Sequence, residues 1–536
     1  MNNNQKKIII TLGIISILYF CIFLFPNNTG ADNWDMLSVF EPDEYAQYPH
    51  VIRMLEFRGD SLRQKLWHIV AYQHYFYGFP FYALSALVLL PIKLISSLDN
   101  VQQNMLLLRQ FVSVLPMIAS VWVLVFLQTR FKSFWKTVAI FIFLLSIPAV
   151  IRNDMWWHPD SLAILFSVLV FFFLEFDQLR YGTNFWLAAV AVGLSVGTKM
   201  LGWFFFLTIP TYLLWGLIYK KIRWGKLIIL ACIFLLVMGI TIIISNPVLI
   251  HPEERARVIS IQRGQATVMG FGWDVAYEKG PLSWLGIIVE YYGHWLFVAV
   301  AFLSLGIGIA DKEKRLLHLL ILSWILPLTV YILFGVAVKP THLFLPVVLP
   351  LYSMLPNLFT SKKKTEKSIW QFAPFVFSVI LIMQFGQNIS WGIQAYNQKL
   401  HEKETHPAII FYSNLEEEYL TCLSEGKHIT IYRDIRAYIP SSPNWDVRMK
   451  WRVVDYDFIQ EVNPEVVVLQ KQRIRDYTYD GVIEDAEDEE QMRRTLDFYT
   501  DASNKKLKGY LFLMEDDFGI VFARNDVSDM LQCHGE

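Results

Sequence analysis

Residues 40–50 read Phe40-Glu41-Pro42-Asp43-Glu44-Tyr45-Ala46-Gln47-Tyr48-Pro49-His50, a polar and aromatic stretch directly after the first apolar run of the chain. Just beyond it, Val51, Ile52 and Leu55 alternate with Arg53 and Glu56 as on a short amphipathic helix, which Gly59 closes. Asp43 and Glu44 fall at or just ahead of the start of that helix, where the backbone dipole favours ionised carboxylates. An acidic pair in this place suits a general base, a metal site or a solvated helix cap. The rest of the chain decides among the three.

The 536 residues are 54 % hydrophobic and 15 % aromatic, with a mean hydropathy of +0.36. That composition belongs to a polytopic membrane protein. A net charge of −1 leaves no electrostatic footprint for nucleic acid. Four cysteines are too few for a disulfide scaffold.

Lys6-Lys7 precedes an apolar run at 8–25 with no small-residue cleavage site after it, so this run is read as an uncleaved first span. Further runs approach the ~20 residues that cross a bilayer. They are 105–127, 134–151, 161–176, 185–199, 203–219, 227–245, 284–309, 316–338, 342–359 and 370–389. Segment 78–98 is apolar too, but Pro80 and Pro91 interrupt it.

Charge parity settles how to treat that segment. Basic clusters stand at Arg130/Lys132/Lys136, Lys220/Lys221/Arg223/Lys226, Lys312/Lys314/Arg315 and Lys362/Lys363/Lys364/Lys367. All four fall on the cytoplasmic side if 78–98 is juxtamembrane or re-entrant, as the positive-inside rule requires. The predicted topology therefore has eleven spans, or twelve if 78–98 is a tilted helix. It places 27–77, 152–160, the turn at Lys199-Met200, 246–283, 339–341 and everything after 390 outside the cytoplasm.

The chain divides into a transmembrane domain, 1–395, and a soluble extracytoplasmic α/β domain, 396–536. Short β-branched runs at 408–412, 429–432, 466–469, 510–514 and 520–523 predict strands, with helices at 415–424 and around 489–499. The second domain has no glycine-rich phosphate loop after its first strand, and its folding signals are independent of the membrane part. It is expected to fold alone and to tune acceptor choice.

On the shared outer side the chain gathers charge where bilayer begins. Arg152, Asp154, His158 and Asp160 cluster around Trp156-Trp157 immediately before a span. Charges at a span cost about 2.5–3.5 kcal/mol on insertion scales, so they need a partner or a task. The tryptophans suit the headgroup belt by themselves. Lys199 ends a span after Gly193-Leu-Ser-Val-Gly-Thr198, where it suits either a snorkelling lysine or a phosphate partner. Lys339-Pro-Thr-His342 sits between two spans on the same face. Loop 246–283 is long and polar, and reads either as a mobile cover or as an inert surface loop.

In order, spacing and shared face, these elements resemble the GT-C superfamily of integral-membrane glycosyltransferases, which use polyprenyl-phosphate sugars. Pro42-Asp-Glu-Tyr-Ala-Gln47 is similar to the essential acidic loop of the lipid-linked mannosyltransferases. Asp160 or Asp154 matches the second acid of the protein O-mannosyltransferase and lipid A aminoarabinose transferase type. Gly193 to Lys199, and Lys339 to Pro350, are similar to further segments of that type. The resemblance covers about residues 1–360. The Lys-Pro-Pro element of those transferases is absent here, and Tyr75-Phe-Tyr-Gly-Phe-Pro80 stands in its place.

The resemblance implies transfer of a sugar from a polyprenyl-phosphate donor to a glycan, lipid or protein hydroxyl of the cell envelope, with inversion. Asp43 is then the base, with Glu44 as the other member of the acidic pair. Lys199, Arg152, Lys339 and His342 are candidates for the leaving phosphate, and His158 and Asp160 for binding the sugar. No cofactor is required. A divalent cation, if used, would fall to Asp43, Glu44 and Asp160. A flippase for lipid-linked sugars, or a non-catalytic anchor for the C-terminal domain, are the competing readings.

Overall fold

The computed structural model describes residues 2–359, 373–424 and 427–527. The fourth basic cluster at Lys362–Lys367 and the first residues of the run 370–389 lie outside the described residues. Helix α1 (Asn3–Asn27) opens with a capping box in which Asn2 and Gln5 satisfy each other's backbone donors. Its Ile10, Ile14, Ile17, Leu18 and Ile22 are more than half exposed. On a helix this apolar, that outward face is the one lipid would cover.

Among the described residues six helices are long and apolar enough to cross a membrane, or eight if two bent pairs each count as one span. The pairs bend by 62° at Phe134–Leu145 with Pro148–Asp154 and by 91° at Pro281–Tyr291 with Trp295–Ala310. The protein is a multi-pass membrane protein. The count is lower than the eleven that hydropathy predicts. Helix Asp160–Asp177 carries three acids (Asp160, Glu175 and Asp177), Thr183–Lys199 has only 17 residues, and Leu345–Phe359 is a shorter, broken piece. These helices are largely buried among other helices, so neighbouring protein takes the place of lipid along them.

Between α1 and the next long helix the chain forms four short helices, α2 (Trp34–Phe40), α3 (Pro42–Met54), α4 (Leu62–Val70) and α5 (Phe79–Ile95). Pro42 occupies the first turn of α3, where its missing N–H costs nothing, and Asp43 and Glu44 follow it there. α5 spans 17 residues with Pro80 in its first turn and Pro91 near its end.

The C-terminal part holds a five-stranded sheet in the order β2-β1-β3-β5-β4. Its strands are β1 (Ile429–Arg433), β2 (Trp445–Arg448), β3 (Val466–Gln470), β4 (Tyr510–Glu515) and β5 (Gly519–Arg524). β1 runs parallel to β2 and β3, while β5 is antiparallel to β3 and β4. Four of the five predicted strand regions are strands. The fifth, 408–412, is instead helix Pro407–Leu415, with Pro407 in the first turn and a His406 cap. Its buried Ala408, Phe411, Tyr412 and Leu415 recur at the helical period, which a five-residue window cannot distinguish from a buried strand.

Two further expectations change. Helix Ala373–Thr405 runs straight through the predicted boundary at 396, so the sheet region begins after Thr405. That region also does not close on itself: Met36 and Val39 of α2, each 2 % exposed, belong to one of its two apolar cores. Loop 246–283 is mostly helix Pro252–Phe271. Beyond it Ala276 N–H donates to the Asp485 carbonyl (2.7 Å) and Val275 bridges to Ala486, tying the segment to the sheet region.

Candidate active site

The first turn of α3 sends its two acids to different surroundings, because successive helical residues are rotated by about 100°. Glu44 is fully buried and accepts from Arg109 through Nε (2.9 Å) and Nη2 (2.5 Å). The Trp157 backbone N–H donates to the same carboxylate (2.6 Å). Arg109 completes its fork on the carbonyls of Asn27 (2.9 Å) and Thr29 (2.8 Å). Glu44 is thus committed to a buried clamp joining α3 to the membrane helices. Arg109 lies in the apolar run 105–127, which gave no sign of a functional charge.

Asp43 keeps 49 % of its side-chain surface open and stands 3.8 Å from His158 Nε2. The Tyr77 hydroxyl interacts with the Asp43 carboxylate and donates to His158 Nε2 (2.7 Å). His158 Nδ1 in turn pairs with Asp160 Oδ2. The Lys199 ammonium donates to Asp160 Oδ1 (2.5 Å), and His342 Nε2 lies 3.5 Å from Asp160 Oδ2. Asp43, His158, Asp160, Lys199 and His342 therefore meet at one place, with Tyr77 as a member the sequence reading did not assign.

Each element arrives for a local reason. Helices Asp160–Asp177 and Thr183–Lys199 form a hairpin, so the first residue of one lies beside the last residue of the other. An acid at a helix start and a base at a helix end also match the two helix dipoles. His158 is held by its backbone N–H on Ser113 Oγ (3.3 Å) and by a parallel stack on Trp156, with ring centroids 4.1 Å apart. Ser113 belongs to the π-helical turn Arg109–Val114, a rare geometry that collects at functional sites.

Burial pushes the Asp43 carboxyl above the usual carboxylate range, against the pull of His158 and Lys199. One side of the group is open, yet the mass of protein around it still disfavours its charge. Burial also holds His158 below the usual imidazole range despite Asp160 beside it, and holds His342 well below it. Near neutral pH both imidazoles are then uncharged, and Nδ1–H of His158 donates to Asp160.

The remaining candidates stand differently. Arg152 pairs with Glu41 (2.6 Å), a buried acid that the sequence reading passed over. Lys339 donates to the carbonyls of Glu278 (2.5 Å) and Ala337 (2.8 Å), bracing the 272–280 segment. Asp154 accepts from Tyr19 (2.8 Å) inside the helical core, which leaves Asp160 as the second acid of the site. His158, Asp160 and His342 offer donor atoms within 4.8 Å of one another, the one such group found among the described residues. It fits a resident dication poorly: Lys199 already neutralises Asp160, and both nitrogens of His158 are engaged.

No family model matches the sequence, and no match is found among curated proteins. Solved structures do match. ArnT from Cupriavidus metallidurans, in a crystal structure bound to undecaprenyl phosphate, is 11 % identical with a TM-score of 0.52. That alignment covers 97 % of this chain and 98 % of ArnT. The apo oligosaccharyltransferase of Archaeoglobus fulgidus is 11 % identical with a TM-score of 0.50, over 96 % of this chain and 74 % of the other. At such identities the likeness speaks for architecture alone: the chain shares the fold of these two membrane proteins over nearly its whole length.

Proposed function

We propose that the protein is an integral-membrane glycosyltransferase that moves a sugar from a polyprenyl-phosphate donor to an acceptor hydroxyl on the extracytoplasmic side. The observation that carries this reading is the meeting of a half-open carboxylate, Asp43, with the charged set Asp160, Lys199, His158 and His342 in a GT-C fold. Asp43 takes the acceptor proton as the acceptor oxygen attacks the anomeric carbon. A single displacement inverts that carbon, and the electron pair of the broken bond leaves with the lipid phosphate. That leaving group is already acidic and needs positive charge more than a proton. Lys199 supplies the charge, and His342 an N–H beside it. Arg152 sits behind Glu41 and contributes field only, while Lys339 braces the loop.

With Lys199 in that place, no step needs a metal ion. The C-terminal sheet region docks on α2 just upstream of Asp43, so it lies on the same side as Asp43, and in this reading both are outside the cytoplasm. The test is mass spectrometry of envelope glycans, lipids and proteins from cells lacking the protein, complemented with wild type or Asp43→Asn. One hexose-sized product should be missing without the protein, return with wild type and stay missing with the variant. Its return with Asp43→Asn removes the reading.

A further inference from the structure

Tyr77 stands where the resembling transferases carry a basic element, and the fold takes trouble to hold it there. The Gly78 N–H donates to the Thr198 carbonyl (2.9 Å), one residue before Lys199. A Cβ on Gly78 would lie 1.5 Å from the Gly197 carbonyl oxygen, so only glycine permits this approach. Asn246 locks the junction, its Oδ1 accepting from Phe79 N–H (2.8 Å) and its Nδ2 donating to Gly197 (3.1 Å). Tyr72 donates to the Tyr77 carbonyl (2.8 Å) from the other side. The Tyr77 ring, 8 % exposed, packs edge-on against Phe81 and His158.

Only the hydroxyl end of Tyr77 is polar, and it bonds to His158 Nε2 (2.7 Å), the nitrogen that lies 3.8 Å from Asp43 Oδ2. Beyond His158 lies Asp160, so four side chains form a continuous line from the open carboxylate to a buried one. We infer that Tyr77 and His158, backed by Asp160, are a relay that takes the proton off Asp43 and holds it until the products leave. The inference rests on the transferase reading above.

The acceptor O–H bond breaks as its oxygen bonds to the anomeric carbon, and the proton goes to Asp43. The anomeric carbon–oxygen bond to phosphate breaks, and its electron pair leaves with the lipid phosphate. With substrates covering the open side of Asp43, water has no path to it. The Asp43 proton passes to the Tyr77 oxygen while the Tyr77 hydroxyl proton passes to His158 Nε2. His158 becomes an imidazolium whose Nδ1–H remains on Asp160. When the products leave, the proton returns through Tyr77 to Asp43, whose open side gives it to water. The groups facing His158 are Asp43, Asp160, Lys199 and His342, two acids against one fixed cation, so a transient positive charge there is compensated.

The test is steady-state turnover of short-chain polyprenyl-phosphate hexoses with a simple alcohol as acceptor, in the full-length protein. Tyr77→Phe removes one oxygen and keeps the ring. It should lower kcat about tenfold or more, less than the loss of about a hundredfold or more for a general base itself, and leave both KM values within about twofold. His158→Gln should lose a similar factor, and the double variant no more than either single, because one path is lost once. Full turnover by Tyr77→Phe, or losses that multiply in the double variant, overturn the relay while leaving the transferase intact. A wild type inert toward every donor overturns the transferase reading, and the relay with it.

Discussion

Asp43 and Glu44 are neighbours in sequence and opposites in role. Removing Glu44 leaves Arg109 as an unpaired buried charge, a loss of about 3–5 kcal/mol for such pairs. Glu44→Ala should therefore lower the thermal unfolding midpoint sharply, in a fluorescence melt of detergent-solubilised protein. Asp43→Asn should not lower it. Burial makes the folded state hold the Asp43 proton more tightly than the unfolded chain does. Its contribution to stability then falls as pH rises from the ordinary carboxylate range through the raised value, and the Asn variant escapes that loss. By the same shift, the acid limb of kcat/KM should lie above the ordinary Asp value of about 3.9. Five of the converging side chains were legible because loops between apolar runs display charge plainly. Tyr77, Glu41 and Arg109 were not, since an aromatic in an aromatic loop, an acid beside a proline and an arginine inside a span look structural until their partners are known.

At the scale of elements, hydropathy located the long helices and misjudged those that bury charge at their ends. The hairpin joining Asp160 to Lys199 could not be read from sequence, because the pairing depends on which helices are neighbours. Residues 408–412 and the helix within 246–283 failed for the opposite reason: the period was present, but the window was too short or too polar to favour a helix. The junction of residues 77–78 with the end of the helix Thr183–Lys199 gives a sharp test. Gly78→Ala should cost most of the activity, because its Cβ meets backbone that cannot swing aside. Gly225→Ala, where a Cβ meets nothing within 4 Å, should be silent in the same assay.

For the whole molecule, the sheet region and the segment that follows α1 are packed together. Asp35 accepts from the Ser441 N–H and hydroxyl (2.7 Å each) with Arg433 3.8 Å away, and Asn33 donates to the Tyr438 hydroxyl (2.8 Å). Where the sequence leads one to expect a separate domain, the sheet region thus shares a core and buried polar contacts with α2. Truncation after Thr405 should expose Met36 and Val39, lower the unfolding midpoint and depress donor turnover together. Orientation can be read by cysteine labelling of intact cells in a background without native cysteines. A cysteine at Ser503 should react with an impermeant reagent, and one at Lys221 should react only after permeabilisation.

The most direct measurement is donor turnover by purified wild type and Asp43→Asn at equal, folded concentration, followed by release of polyprenyl phosphate and by the anomeric configuration of the product. Wild type is expected to release polyprenyl phosphate and invert the anomeric carbon. Asp43→Asn should be slower by at least about a hundredfold, the scale of a lost general base, with an unfolding midpoint no lower than wild type. Transfer by Asp43→Asn at the wild-type rate, or a product of retained configuration, would contradict the assignment of Asp43 as the base.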